Sequence, residues 1–285
     1  MMRFLKSFPL VMGFAALLST SIKAAEITIP NSALIPSTAL YTNDIGSVLG
    51  IGDASGRSDD GFSGPIDLGF TLNFFGTSYT QFWINNNGNI SFGGGISQYN
   101  PSGPTGASQP IISPFFADVD TRGAGSGVVH LSQLPNEDII TWSNVGYYDS
   151  EDGKLDNFQL VLRGPGYSVP AGEGQIGFFY TNMQWEAGDA IGGRGGFCSP
   201  DAVCYPAAVG FGDGLGNGVV LQSSVQPGIS GVVNDTHIWF DLDSDGVPVT
   251  TSPSSVPEPS TYALLGIGIL GLYGFAAKRR SRSQS

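Results

Sequence analysis

Histidine and cysteine are scarce, with two of each in 285 residues. That leaves few ligands for a zinc or iron centre. Basic side chains are also few: 12 Lys and Arg stand against 24 Asp and Glu, a formal charge of −12. A surface of that sign repels phosphate and argues against a nucleic-acid partner. Between Ile27 and Val249 no apolar pattern of helical period is sustained, which sets aside helical bundles. What is abundant is glycine, 42 residues, in a chain that is 41% apolar. Such a chain is rich in turns yet has ample material for a packed core, so wholesale disorder is excluded.

The two ends read as addresses rather than fold. Residues 1–24 have the layout of a signal peptide: Arg3 and Lys6, an apolar stretch from Phe8 to Leu18, then small residues around Ala24-Ala25, with cleavage expected after Ala24. The 11-residue apolar run is too short to span a bilayer. At the other end, Tyr262 to Ala277 gives 16 residues without a charge, followed by Lys278, Arg279, Arg280 and Arg282. As a helix this stretch reaches about 24 Å, slightly short of a hydrocarbon core of about 30 Å. Residues 261–285 are therefore expected to be a transmembrane helix with a basic tail, the tail cytoplasmic and the rest of the chain outside. Gly266, Gly268 and Gly271 match the dinucleotide spacing G-x-G-x-x-G, but they lie inside this segment and follow no strand. They read as small residues on a packing face.

The body is expected to be all-β, a single large β-sandwich-like domain over residues 25–247. Ile66, Leu68, Phe70, Leu72 and Phe74 alternate with polar or small residues, the period of a half-buried strand. Phe82-Trp83-Ile84 and Ile90-Ser91-Phe92 flank Asn85–Asn89, a hairpin whose Asn and Gly residues tolerate positive φ. Further strands are expected at Ile111–Val119, Val128–Leu131, Ile139–Tyr147, Phe158–Leu162, Ile176–Tyr180, Ala207–Phe211, Val219–Val225 and His237–Leu242. Residues 248–260, rich in Pro, Ser and Thr, read as an extended linker.

Two resemblances follow from these residues. Val256-Pro257-Glu258-Pro259, the short apolar helix and the arginine cluster together resemble a PEP-CTERM sorting signal of Gram-negative bacteria. The resemblance implies handling by an exosortase, a membrane-embedded protease, with the helix as a temporary inner-membrane tether. It further implies a producer of exopolysaccharide; simple single-pass anchoring is the alternative. In the body, the segments FTLNFFG, FWINNNGNISFG, ISPFFADVDTRGAG, TWSNVGYY, DNFQLVL, FFYTNMQWEAGDA and AVGFGDG resemble a nidogen-type (NIDO) extracellular domain. That family implies a structural or adhesive module without catalytic residues. The chain departs from it by a glycine-rich insertion, Ile191–Pro206, that holds both cysteines.

Few residues invite chemistry. Cys198 and Cys204, in an exported chain, are expected to close a small disulfide loop. Asp241, Asp243 and Asp245, followed by Gly246, have the D-x-D-x-D-G spacing that opens a calcium loop, which makes calcium the one cofactor to consider. The bidentate Glu of an EF-hand is missing, since Ser252 stands there, and a strand end with outward carboxylates competes. Asp118 and Asp120 lie on one face of an expected strand, about 6.6 Å apart along the backbone. Paired carboxylates can hydrolyse glycosides, but Arg122 stands ready to neutralise one of them and turn donors the other. His130 and His237 have no recognisable nucleophile nearby. Trp83, Trp142, Trp185 and Trp239 are mostly expected in the core. The function expected is non-catalytic: a surface or exopolysaccharide-matrix protein in adhesion, binding or scaffolding, with an exosortase and matrix components as partners. The alternatives are a secreted hydrolase using Asp118, Asp120 or Glu186, and a calcium-dependent structural spacer.

Overall fold

Alternation in the sequence becomes burial in the structure. The computed structural model describes residues 25–199 and 201–251. The expected signal peptide, the Val256–Pro259 motif and the apolar helix at 262–277 lie outside the described residues. Among those described, no helix is long and apolar enough to cross a membrane. In chain order the strands are β1 (Glu26–Ile29), β2 (Ile35–Pro36), β3 (Ser47–Val48), β4 (Phe62–Phe74), β5 (Thr77–Asn85) and β6 (Asn89–Ser91). There follow β7 (Pro110–Phe116), β8 (Val129–Leu134), β9 (Glu137–Tyr147), β10 (Glu151–Arg163) and β11 (Ile176–Thr181). The last are β12 (Gly193–Arg194), β13 (Phe197–Cys198), β14 (Ala208–Asp213), β15 (Gly218–Leu221), β16 (Thr236–Leu242) and β17 (Pro248–Thr250), with a short helix α1 (Ile229–Val233) before β16.

Two large sheets share one core, the arrangement of a β-sandwich. The first has the order β1-β15-β14-β7-β6-β5-β4; the second runs β17-β16-β11-β10-β9-β8-β3. In β4, Leu68, Leu72 and Phe74 are buried and Ile66 and Phe70 half-buried, while Asp67, Thr71 and Asn73 face water. Aromatic rings join the layers: Phe211 of the first sheet lies 5.1 Å from Phe178 and 4.7 Å from Phe240 of the second. Phe115 meets Phe158 at 5.6 Å. Buried Tyr180 donates its hydroxyl to the Pro114 carbonyl at 2.7 Å, so this polar group thrust across the gap is satisfied.

The expected strands are present with shifted ends. Ile111–Val119 stops at Phe116, and Val219–Val225 stops at Leu221, where turns carry the chain into α1. That helix has five residues, too short to print a helical period on the sequence. Pro248–Thr250, expected to open the linker, pairs with Phe240–Leu242 as the edge strand β17. Proline is acceptable there because the first residue of an edge strand can do without an N–H.

The second sheet has a further layer outside it. Residues 37–46 cross its outer face, and the Thr42 backbone exchanges two hydrogen bonds with the Gln159 side chain at 3.2 and 3.0 Å. Beneath them Arg163 is fully buried, held by Glu137 at 2.8 Å, Glu173 at 2.6 Å and the Gly174 carbonyl at 3.0 Å. Its guanidinium lies 4.3 Å from both the Trp239 and Tyr167 ring centres. A buried charge is tolerable when fully paired in this way.

Asp138, next to Glu137 on β9 and therefore on the opposite, core-facing side, is less well served. One carboxylate oxygen accepts from Gln133 at 2.9 Å, and the other has no hydrogen-bond partner. Burial, aided by the nearby Asp67 and Glu137 charges, pushes its pKa up to about 7. The folded chain therefore keeps a proton that the unfolded chain has lost above about pH 4, and stability falls as pH rises from there to about 7. Asp138→Asn has no charge to bury. Its melting temperature, followed by circular dichroism, should exceed the wild type by several degrees at pH 8 and match it below pH 4. A difference independent of pH would show that the buried charge is not the cause.

Candidate functional site

The hairpin turn between β5 and β6 faces the protein interior. Asn85, Asn86, Asn87 and Asn89 are all at most 1% exposed. Turns ordinarily stay at the surface because their polar groups need water, so this one must find every partner within the chain. Asn86 shares its amide protons among the carbonyls of Ser58 (3.2 Å), Asp59 (2.5 Å) and Val119 (2.6 Å). Asn85 bonds to Asn89 at 2.7 Å and to Ser91 at 3.0 Å. The buried Trp142 indole donates to the Asn86 carbonyl at 3.0 Å. Gly88, with φ +75°, packs so closely that a Cβ there would lie 1.9 Å from the Phe115 carbonyl oxygen. Only glycine fits.

Two loops are thereby drawn together, and both carry carboxylates. Ligand oxygens of Asp59, Asp60 and Asp118 all lie within 4.8 Å of one another. Asp118 is 1% exposed, and its Oδ2 has no hydrogen-bond partner. Burial and the charges of Asp59, Asp60 and Asp120 push its pKa up to about 8. Asp59 is pushed up to about 6 by burial and by Asp120 and Asp60. Burial also raises Asp60, against a 2.8 Å hydrogen bond from the Asn87 amide. Asp120 differs. Burial alone would raise it, but Arg122 binds it through two side-chain hydrogen bonds of 2.9 and 2.6 Å and the Arg122 and Ser150 N–H groups add two more, which together hold it below the usual range. The same guanidinium reaches Asp59 at 3.0 Å and Asp149 at 3.6 Å. Gly188 completes the wall, since a Cβ there would lie 2.4 Å from Asp118 Oδ2.

Strands β3 to β15, the asparagine turn and both loops fall inside residues 36–241, which match the family model described as NIDO related. The chain belongs to that family. Residues 255–280 match the PEP-CTERM protein-sorting motif. Among curated proteins, mouse alpha-tectorin is 30% identical over 163 residues, covering 48% of this chain and 7% of that protein. Nidogen of Drosophila melanogaster is 25% identical over 202 residues, covering 59% of this chain and 14% of the other. This chain thus spans a small part of the length of those relatives. No solved structure matches it.

The other expected site residues have separate places. Asp241 lies in β16, one residue before its end, and Asp243 to Gly246 form the turn into β17. Asp243 Oδ1 accepts from the Asp245 and Val247 N–H groups, both at 2.9 Å, and Gly246 takes φ +74°. The D-x-D-G pattern here builds a hairpin turn. Asp245 also lines a cleft of about 360 Å³ with Ile27, Phe75 and Asp213. Among the described residues, the acidic side chains that gather closely enough to share an ion are Asp59, Asp60 and Asp118 instead. Asp59 and Asp60 escaped the sequence reading because no spacing links them to Asp118; the buried asparagines beside them were read only as a turn.

Asp118 and Asp120 lie just past the end of β7, where Val119 makes a single bridge to Tyr147. Arg122 neutralises Asp120 as expected, but no turn donor reaches Asp118 Oδ2. Glu186, 2% exposed, caps the start of α1 by accepting from Gly228 N–H at 2.8 Å and Ser230 Oγ at 3.3 Å. His237 stacks on Phe179 at 5.2 Å. Trp142, Trp185 and Trp239 are buried, and Trp83 is half-buried. Cys198 and Cys204 form a disulfide that closes the β12–β13 insertion.

The asparagine turn generates a direct test. Asn86→Ala strips the donor from three carbonyls in a site with little water, and should cost about 3 kcal/mol of unfolding free energy. Urea denaturation measures it. A loss below about 1 kcal/mol would mean that solvent already serves those carbonyls.

Proposed function

We propose that this chain is an exported, non-catalytic surface or matrix protein whose NIDO-related domain binds or scaffolds extracellular polymer after exosortase sorting. The observation that carries the reading is the order of two modules in one chain: a domain of an extracellular family ending at 241, and a PEP-CTERM motif starting at 255. The motif implies an exosortase as a processing partner. The nidogen-type resemblance supplies the expectation of a structural or adhesive role.

The side chains support a binding module over a hydrolase. An acid/base pair must hold a proton it can exchange with substrate. Asp120 is locked by Arg122, Glu186 caps a helix, and Asp118 is walled in by Gly188 and the asparagine turn. None of the three offers a free carboxyl to a glycan.

Mass spectrometry of the C-terminal peptide from surface-extracted protein tests the sorting. The mature form should end near Pro257-Glu258-Pro259 and lack Tyr262–Ser285; an intact tail in that fraction would contradict processing. Purified exopolysaccharide tests the module: retention of the protein without new reducing ends is expected. Turnover that disappears in Asp120→Asn or Glu186→Gln would establish the hydrolase instead.

A further inference from the structure

We propose that Asp59, Asp60 and Asp118, together with the side-chain oxygen of Asn87, form a calcium site beside the buried asparagine turn. The three carboxylates alone would not suffice, since acidic groups often cluster without an ion. The independent observation is the asparagine. Asn87 is 1% exposed, and its nitrogen donates to Asp60 at 2.8 Å, which places the amide against the cluster. Its Oδ1 is buried and meets no donor. Asp59 Oδ1, Asp118 Oδ2 and the neighbouring Asn86 Oδ1 share that condition.

Buried acceptors with no donor are costly unless something positive serves them, and here two belong to the clustered carboxylates Asp59 and Asp118 and two to the adjoining asparagines. The protein's own cation there, Arg122, is already committed to Asp120 and turns only one arm to Asp59. Calcium answers both needs, because it supplies charge and accepts six to eight oxygen ligands. The donor set is all oxygen, which selects calcium or magnesium over zinc or copper. The carboxylate oxygens lie within 4.8 Å of one another. Calcium tolerates an irregular shell and sheds its water more readily than magnesium, so it suits ligands whose places are fixed by the fold. Asp59 and Asp60 are only half-buried, so an ion reaches the site from solvent and completes its shell with water.

The full-length chain in mild detergent, stripped with chelator, is the material for the test. Calcium at about 100 times its dissociation constant should raise the melting temperature by about 5–10 °C. Titration calorimetry should give one site. The shift should vanish in Asp118→Asn and in Asp60→Asn and persist in the double variant Asp243→Ala, Asp245→Ala. Terbium, a calcium substitute, provides a second readout that does not depend on stability. Trp142, bonded to the Asn86 carbonyl at 3.0 Å, is placed to sensitise its emission, and that signal should be lost with Asp118→Asn. No shift at 10 mM calcium, an equal response to magnesium, or loss of the shift only in the Asp243/Asp245 variant would each overturn the assignment. The first would mean that Asp118 resolves the crowding by keeping a proton, and the last would move the ion to the β16–β17 turn.

Discussion

The domain depends on a turn that has been folded inward. Residues 85–89 place four asparagine side chains between loops that would otherwise pass each other, and each amide must find a partner without help from water. Satisfying Asn86 alone fixes three carbonyls, those of Ser58, Asp59 and Val119. Those carbonyls belong to the loop before β4 and the loop after β7, segments separated by about 60 residues of chain. The turn is therefore the joint that sets both loops in register. It also holds Trp142, which ties the joint to the second sheet. The asparagines share this work with Thr121, whose N–H and hydroxyl bond to Ser58, and with Arg122, which reaches Asp59.

Two buried charges in this protein show opposite solutions to the same problem. Arg163 sits under residues 37–46 with two carboxylates, a carbonyl and a tyrosine hydroxyl within hydrogen-bonding distance, and with aromatic faces on its sides. Four of the guanidinium's five N–H groups donate to these partners. Asp118 is as deeply buried, yet its Oδ2 has no donor, and the charged groups that bear on it most strongly, Asp59, Asp60, Asp120 and Asp189, are all carboxylates. A chain able to enclose Arg163 so completely does not leave Asp118 bare through careless packing. The contrast argues that the vacancy in its hydrogen bonding is a property of the site.

Legibility in the sequence followed periodicity. The alternation of Ile66 to Phe74 has a period of two, so β4 and its inward face could be read directly. The pair Cys198 and Cys204 was legible because an exported chain makes disulfides and spacing made the loop small. Burial of the asparagine turn was not legible, because Asn and Gly mark a turn wherever it lies and carry no period to show which way it faces. Asp243 to Gly246 is ambiguous for a related reason: the Asp and Gly that suit a calcium loop also suit a hairpin turn, where the carboxylate accepts backbone N–H groups. Asp59, Asp60 and Asp118 form a group only after the fold has closed, since the contact between them is long-range and spans the chain from β4 to β7. A signal was present in the unusual run of four asparagines around Gly88, which is more amide than a surface turn requires.

Charge accounting across the domain presses the same way. Seven of the 12 basic residues lie in the two terminal segments, so residues 26–257 carry five basic and 23 acidic side chains, a formal charge of −18. Those five are nearly all committed. Arg163 is enclosed by Glu137 and Glu173, and Arg122 is bound to Asp120. Arg57 donates to the carbonyls of Thr121, Gly123 and Ser126, and Lys154 to that of Gly195. Arg194 is exposed on the disulfide-closed insertion. The domain has no spare internal cation to set against Asp59, Asp60 and Asp118. Their charge must be met by protons, which Asp118 with its pKa pushed up to about 8 holds at neutral pH, or by ions drawn from outside, which an acidic surface concentrates and whose binding releases that proton. If the proposed calcium site is occupied, the stability of a domain so short of basic residues is coupled to the cation content of the medium through the loops beside the asparagine turn.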